Sequence, residues 1–375
     1  MTSSEFAWLL KAHGKTGDAK SLLELAIELE ERGNFRLAAT AMDRAFGLDP
    51  ANTEIRDTRS AILDRLALTE HGLRFRYVPA GTFLMGCQDG EPDEQPVHPI
   101  QLGEYWLTET PVSWAAFCDL MNWKPPPYGR PKGEGTHFQG SLSSDEAGGM
   151  FFLLEDNKIR LQYCEDATVA ARDWHSHVPE HNWTKGGTGE AVSSRTLFGS
   201  PDREDPRRPW RYDRKPMIAV SWETAEALCR SMSNQSTFYG LPTEAEWEKG
   251  ARGGLTQCRF PWGDESARDD RCDFDRFDSF SILPMRRFAP NDYGIYAMSG
   301  GVWEWVSDWY DSKYYRNCEP VDPQGPKEGN EKALRGGSWS DCAEAVNVSF
   351  RMSRDRAGTP NVGFRICRKE PPVGD

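Results

Sequence analysis

The chain has 375 residues, 38% of them hydrophobic and 27% charged, with a net charge of −13 and a mean hydropathy of −0.68. No run approaches the roughly 18 apolar residues of a membrane-spanning helix, so a soluble globular protein is the expectation. The acidic balance likewise argues against nucleic acid and anionic lipid as partners, since both need a cationic face.

The opening Met1-Thr2-Ser3-Ser4-Glu5 carries no basic stretch followed by an apolar one, which makes a cytoplasmic location the expectation. Leu22, Leu25, Ala26 and Leu29 then recur at helical spacing, Gly33-Asn34 interrupts, and Ala38, Ala41, Met42 and Ala45 repeat the pattern before Asp49-Pro50 stops it. Two antiparallel amphipathic helices are predicted. Asn52 is the predicted cap of a third, with Ile55, Ile62 and Leu66 on one face. The segment Leu25 to Pro50, with its small residues at Ala26, Ala38 and Ala45, resembles one tetratricopeptide repeat. Because a lone repeat cannot bury its apolar face, it must dock on the main domain, on a preceding helix near Phe6 to Leu10, or on a partner protein through residues 1–70. A plain helical cap and a partner-binding groove are both open at this point.

From Phe75 the helical period gives way to alternation. Phe75 to Gly86 reads as a strand, a glycine turn and a second strand, and an acidic, proline-bearing loop, Glu91 to His98, follows. Ser113 is a predicted N-cap; Pro216 to Trp222 reads as a buried strand entering a helix over 223–233. Thr243 with Glu246 three positions on forms a capping box. Fourteen tryptophans among 34 glycines and 25 prolines point to a fold held by buried aromatics between long irregular loops.

The C-terminal blocks are the most distinctive: Tyr293-Gly294-Ile295-Tyr296, Gly300-Gly301-Val302-Trp303-Glu304-Trp305, Leu334-Arg335-Gly336-Gly337-Ser338-Trp339 and Asn361-Val362-Gly363-Phe364-Arg365. Together with the segments above they resemble the formylglycine-generating enzyme (sulfatase-modifying factor) family. That resemblance implies an α+β protein of C-type lectin-like fold over residues 71–375, with much irregular loop and an insertion at about 128–215, preceded by the helical region 1–70. The insertion is too long for a simple connector.

The resemblance also implies where chemistry would sit. The family's oxidase places two cysteines just after the Gly-Gly-Ser step, and here those positions read Asp341 and Val346, with Cys342 one place off. A copper site needs soft sulfur donors, which a carboxylate and an isopropyl group do not supply, so iron or copper at this position is not expected. A structural calcium ion is implied on the Gly300 and Val302 carbonyls and Glu304, although Ala297 replaces the family's asparagine. The alternative for Glu304 is hydrogen bonding to backbone amides of its own loop. Nine cysteines with no Cys-x-x-Cys pair argue for reduced thiols. His175, His177 and His181 offer three imidazoles within seven residues, a candidate iron or zinc set, but Pro179 breaks any single-helix presentation; an exposed loop tip is the other reading.

Between the Gly-Gly-Ser-Trp and Gly-Phe-Arg anchors, Trp339, Ser340, Asp341, Cys342, Val346, Asn347, Ser349, Met352 and Ser353 are the candidate ligand-binding residues, as the resemblance to diversified variable proteins implies. Val346, Val348 and Phe350 are equally read as an alternating core strand. The expected function is a module that binds a protein or peptide ligand without generating formylglycine, as a diversified recognition or bacterial sensing or defence component with a helical adaptor. The alternative is a metal-dependent oxidase or sulfoxide-synthase-like enzyme of the same family.

Overall fold

The computed structural model describes residues 3–120, 214–218, 220–276, 282–356 and 361–371. The insertion of 128–215 therefore lies outside the described residues apart from its last two.

Four helices lead the chain: α1 (Ser3–Ala12), α2 (Ala19–Glu31), α3 (Phe35–Leu48) and α4 (Thr53–Leu66). Local signals set their ends. The Asp18 carboxylate accepts the Ser21 amide at 2.8 Å, and Asn52 Oδ1 accepts the amides of Glu54 and Ile55 at 3.1 and 3.3 Å, the predicted cap. Gly33, at φ +77°, takes the left-handed conformation that turns α2 into α3. The periodic residues Leu22, Leu25, Ala26 and Leu29 and their counterparts Ala38, Ala41, Met42 and Ala45 are all buried, and their cluster runs without a break into the core of the rest of the chain. The helices thus bury these faces largely against one another, and the cluster continues into the main domain where α4 meets the strand over Leu73–Val78. Arg59, 1% exposed, fastens the two parts by donating to the carbonyls of Gly253 and Asp292 and to Asp43. Trp106 Nε1 adds a bond to the Leu66 carbonyl at 2.8 Å.

The main domain follows with β1 (Leu68–Glu70), β2 (Leu73–Val78), β3 (Gly81–Met85), β4 (His98–Leu102), β5 (Tyr105–Thr108) and α5 (Trp114–Leu120). Next come α6 (Trp222–Met232), β6 (Phe238–Gly240), α7 (Glu244–Arg252), β7 (Trp303–Trp309), β8 (Lys332–Arg335), β9 (Arg351–Arg354), β10 (Val362–Phe364) and β11 (Cys367–Lys369). An antiparallel sheet has the order β1-β2-β5-β11-β6, a second the order β10-β7-β8-β9, and β3 pairs with β4. Only β10–β7 is parallel among these pairs. No helix among the described residues is long and apolar enough to cross a membrane.

Three local expectations change in three dimensions. The strands flanking Gly81 do not pair with each other: β2 joins the large sheet and β3 leaves to pair with β4. The corner between them is held open by the Lys249 ammonium, which donates to the carbonyls of Pro79 and Gly81 at 2.5 and 3.2 Å. Pro216 to Val220 is buried as predicted at its described positions but forms only a single bridge, Ser113 with Pro216, and no strand. Val346 to Phe350 is likewise no strand, because a 3-10 turn over Ala343–Val346 precedes it and β9 starts at Arg351. Val346 and Val348 are core residues all the same.

Helix α7 packs against β3, β4, β7 and β8 and is buried along its whole length. Its capping box is complete, with the Thr243 amide donating to Glu246 at 2.9 Å and the Glu246 amide to Thr243 Oγ1 at 3.2 Å. Burial obliges its charges to be paired. Glu248 meets Arg252 at 2.7 Å and Arg335 at 2.5 Å, and Glu244 meets Arg351 at 2.8 Å and Arg335 at 3.3 Å. Asp308 of β7 receives the Glu244 amide at 3.0 Å and the Ser307 hydroxyl at 3.1 Å.

Burial, followed by the neighbouring Glu244 carboxylate, pushes the Asp308 carboxyl from 3.8 up to about 7. The folded state therefore holds this proton more tightly than the unfolded chain, and the stability it confers at low pH is lost as pH rises through that interval. We expect Asp308→Asn to remove on the order of 1–4 kcal/mol of this decline, read as the wild-type minus variant difference in urea unfolding free energy between the two pH limits. A difference that stays constant with pH would show that Asp308 ionises normally.

Candidate functional site

The segment after β8 is built around two glycines. Gly336 and Gly337 adopt φ of +100° and +69°, and a Cβ on Gly337 would stand 2.6 Å from both the Ala345 carbonyl oxygen and Val346 Cγ1. Only glycine allows this close crossing. The chain then reverses through Ser338 to Asp341. The Ser338 amide donates to Asp341 Oδ2 at 3.0 Å, and the Ser338 hydroxyl bonds the same oxygen. Ser340 Oγ lies 3.0 Å from Ser338 Oγ, and Asn361 Nδ2 reaches both hydroxyls at 3.3 and 3.4 Å. Burial raises the Asp341 carboxyl above its usual range, with the Ser338 hydrogen bonds pulling it down.

Neighbouring loops hold this turn in place. The Trp339 amide donates to the Gly301 carbonyl at 3.0 Å, the Gly300 amide to the Gly336 carbonyl at 2.8 Å, and the Trp303 amide to the Asn361 carbonyl at 2.8 Å. On the other side, the amides of Asp275 and Arg276 donate to the carbonyls of Asp341 and Trp339 at 2.9 and 2.7 Å. Three anchor motifs that are dispersed in the sequence thus meet in one hydrogen-bonded platform.

The nine candidate ligand residues do not share one surface. Cys342 is exposed, while Ser340, Asp341, Asn347, Met352 and Ser353 are half-buried. Trp339, Val346 and Ser349 are buried and do not present side chains to a ligand: Trp339 is packed in the main core, and Val346 closes a small cluster with Phe260 and Cys272. Met352 and Ser353 sit on the edge strand β9, where Ser353 Oγ donates to Glu331 at 2.6 Å. The described part of the face is therefore the Ser340-Asp341-Cys342 turn with Asn347. Ser338 and Asn361 complete its polar floor; in the sequence they read only as motif anchors, since nothing local shows that positions 338 and 361 meet.

The implied calcium set does not fit. Glu304 is 1% exposed and both of its oxygens are engaged: Oε1 by Arg365 Nη2 at 2.8 Å, Oε2 by Arg365 Nε at 2.5 Å and Trp247 Nε1 at 2.7 Å. A guanidinium in bidentate contact occupies the coordination space and repels a dication. Its partners are thus side chains, and not the backbone amides of its own loop. Ala297, at φ +54°, contributes no side-chain oxygen. His175, His177 and His181 lie outside the described residues, among which no group of three or more His, Cys, Asp or Glu is placed to hold a metal. Cys87, Cys229, Cys258, Cys272, Cys318, Cys342 and Cys367 are free thiols.

A sequence profile of the sulfatase-modifying factor enzyme 1-like domain matches residues 71–370. The chain belongs to this family. Similar members of the family include the formylglycine-generating enzyme of Streptomyces coelicolor, 31% identical over 315 residues that cover 77% of this chain and 87% of that protein. The formylglycine-generating enzyme of Thermomonospora curvata is 29% identical over 319 residues, covering 78% and 92% of the two chains. Among solved structures, PvdO from Pseudomonas aeruginosa shares the fold, with a TM-score of 0.52 and 18% identity over 81% of this chain and 97% of its own. The buried tryptophans and the Glu304–Arg365 pair thus belong to a sulfatase-modifying factor enzyme 1-like domain that carries a helical cap at its N-terminal side.

Proposed function

We propose that this member of the family is a recognition module that binds a protein or peptide segment on the Ser340-Asp341-Cys342 turn and does not oxidise cysteine. One observation carries the reading. The two positions that resemblance assigns to the oxidase's cysteines are Asp341 and Val346, and Val346 is fully buried against Phe260 and Cys272. Cuprous ion prefers paired thiolates, and neither a carboxylate nor a valine provides one. Cys342 is a single exposed thiol with no second sulfur assigned to it. What the position offers instead is a set of hydroxyl, carboxylate and amide groups held by backbone hydrogen bonds, suited to reading polar groups on a ligand.

The test uses the full chain. Purified protein incubated with one equivalent of copper and a reductant, then desalted, is expected to retain no stoichiometric copper by elemental analysis. A cysteine-bearing sulfatase peptide is expected to keep its thiol by mass spectrometry. Stoichiometric copper lost in Cys342→Ser, or conversion of the peptide thiol, would overturn the reading. Near-stoichiometric iron lost in His175→Ala and His181→Ala would favour the oxidase alternative.

A further inference from the structure

A second site lies where the helical cap meets the main domain. A cleft of about 400 Å³ opens between the end of α3 and the corner that joins β2 to β3, large enough for a small organic molecule. Its walls come from both parts of the chain.

The charge inside it is unbalanced. Lys249 is 3% exposed and reaches only the carbonyls of Pro79 and Gly81; among the described residues it has no carboxylate within ion-pair distance. Arg59, Arg335 and Arg365 each hold a carboxylate, and Lys332, which holds none among the described residues, is instead stacked between the Trp222 and Trp309 rings. Arg44 lines the same cleft, stacks over the Phe6 ring at 4.3 Å and also lacks a carboxylate partner among the described residues. Asp43 borders the cleft, but its Oδ1 is taken by Arg59 at 2.6 Å and by the Tyr293 hydroxyl at 2.9 Å. Arg44 and Lys249 thus line the cavity without a carboxylate partner among the described residues, beside Arg252, which is paired with Glu248, and Asp43, which is engaged by Arg59. Desolvation is unfavourable for an unpaired ammonium, and burial brings Lys249 down to about 8.

The remaining wall is apolar. Leu48 and Leu84, 61% and 38% exposed, stand at the cleft with Phe83 and Leu255. Large side chains left open beside buried charge are what an amphipathic ligand would cover.

We propose that this cleft binds a small amphipathic carboxylic acid, its carboxylate held by Arg44 and Lys249 and its hydrocarbon chain lying on Leu48, Phe83 and Leu84. A monoanion suits the site because its lining offers two cations without a carboxylate partner among the described residues, one of them a partly desolvated ammonium. Occupancy ties the helical cap to the main domain, since Arg44 and Leu48 belong to one and Lys249 and Phe83 to the other.

Calorimetric titration of the full chain with octanoate, and in parallel with the uncharged 1-octanol, tests this directly. Octanoate is expected to saturate at one equivalent per chain and to bind at least about tenfold more tightly than the alcohol, the scale of one charge-assisted contact. Arg44→Ala, at an exposed position of the cap, is expected to weaken octanoate by about tenfold and Arg44→Lys by less. Leu48→Asp sets a like charge against the carboxylate at the rim and should weaken it as well. Absence of saturation, equal binding of the alcohol, or an unchanged affinity in folded Arg44→Ala and Leu48→Asp would overturn the assignment.

Discussion

Arg365→Leu is expected to lower the unfolding free energy by about 3–5 kcal/mol, measured from urea transitions followed by tryptophan fluorescence. Arg365 is fully buried and Glu304 1% exposed. The guanidinium spans both carboxylate oxygens and also donates to the carbonyls of Thr108 and Tyr296 at 2.9 and 3.1 Å. Removing it leaves Glu304 with the Trp247 indole as its remaining partner and strips two carbonyls of a donor. The loss should be insensitive to salt, because a buried pair is poorly screened. The double variant Glu304→Leu with Arg365→Leu carries no orphaned charge and is expected to be less destabilised than Arg365→Leu alone. If the single variant loses less than about 1 kcal/mol, the pair is not the structural anchor described here.

Arg335→Leu should cost about 3 kcal/mol and loosen the platform as well as the core. Its guanidinium ties β8 to α7 and to the segment before β9, reaching Glu248 at 2.5 Å, Glu244 at 3.3 Å and the Val348 carbonyl at 2.7 Å. Glu248 keeps Arg252 and Glu244 keeps Arg351 after the substitution, so neither carboxylate is wholly abandoned. The Val348 carbonyl has no such reserve bond from Arg335's side, and amide exchange over 343–350 is expected to accelerate more than in α2 or α3. Arg335→Lys should recover only part of the stability, since an ammonium cannot fork between two carboxylates and a carbonyl. Equal exchange across both regions would mean that the bond to Val348 does not restrain the segment.

Signals that act between near neighbours were legible in the sequence. Asn52, Thr243 and Glu246 cap helices through groups two or three positions away, and their pattern suffices to place helix ends. The apolar period of α2 and α3 identified their buried faces, but not the surface that covers them. The Gly-Gly-Ser-Trp and Asn-Val-Gly-Phe-Arg blocks marked the fold, whereas the alternation of Val346, Val348 and Phe350 suggested a strand that the backbone does not form. A 3-10 turn over Ala343–Val346 precedes this segment and the Val348 amide bonds the Arg259 carbonyl, so that β9 starts only at Arg351.

By itself, the sequence determined the N-terminal helical region, the family fold and the absence of sulfur at positions 341 and 346, because composition, caps and motif blocks act over a few neighbouring residues. Tertiary structure alone decided that Glu304 belongs to Arg365, that Trp339, Val346 and Ser349 are core, and that Arg44 and Lys249 face one cleft. Those outcomes depend on partners 61 or more positions apart or on packing between loops. Which long-range contact wins is set by the summed burial and charge pairing of the whole fold, and no local pattern carries that information.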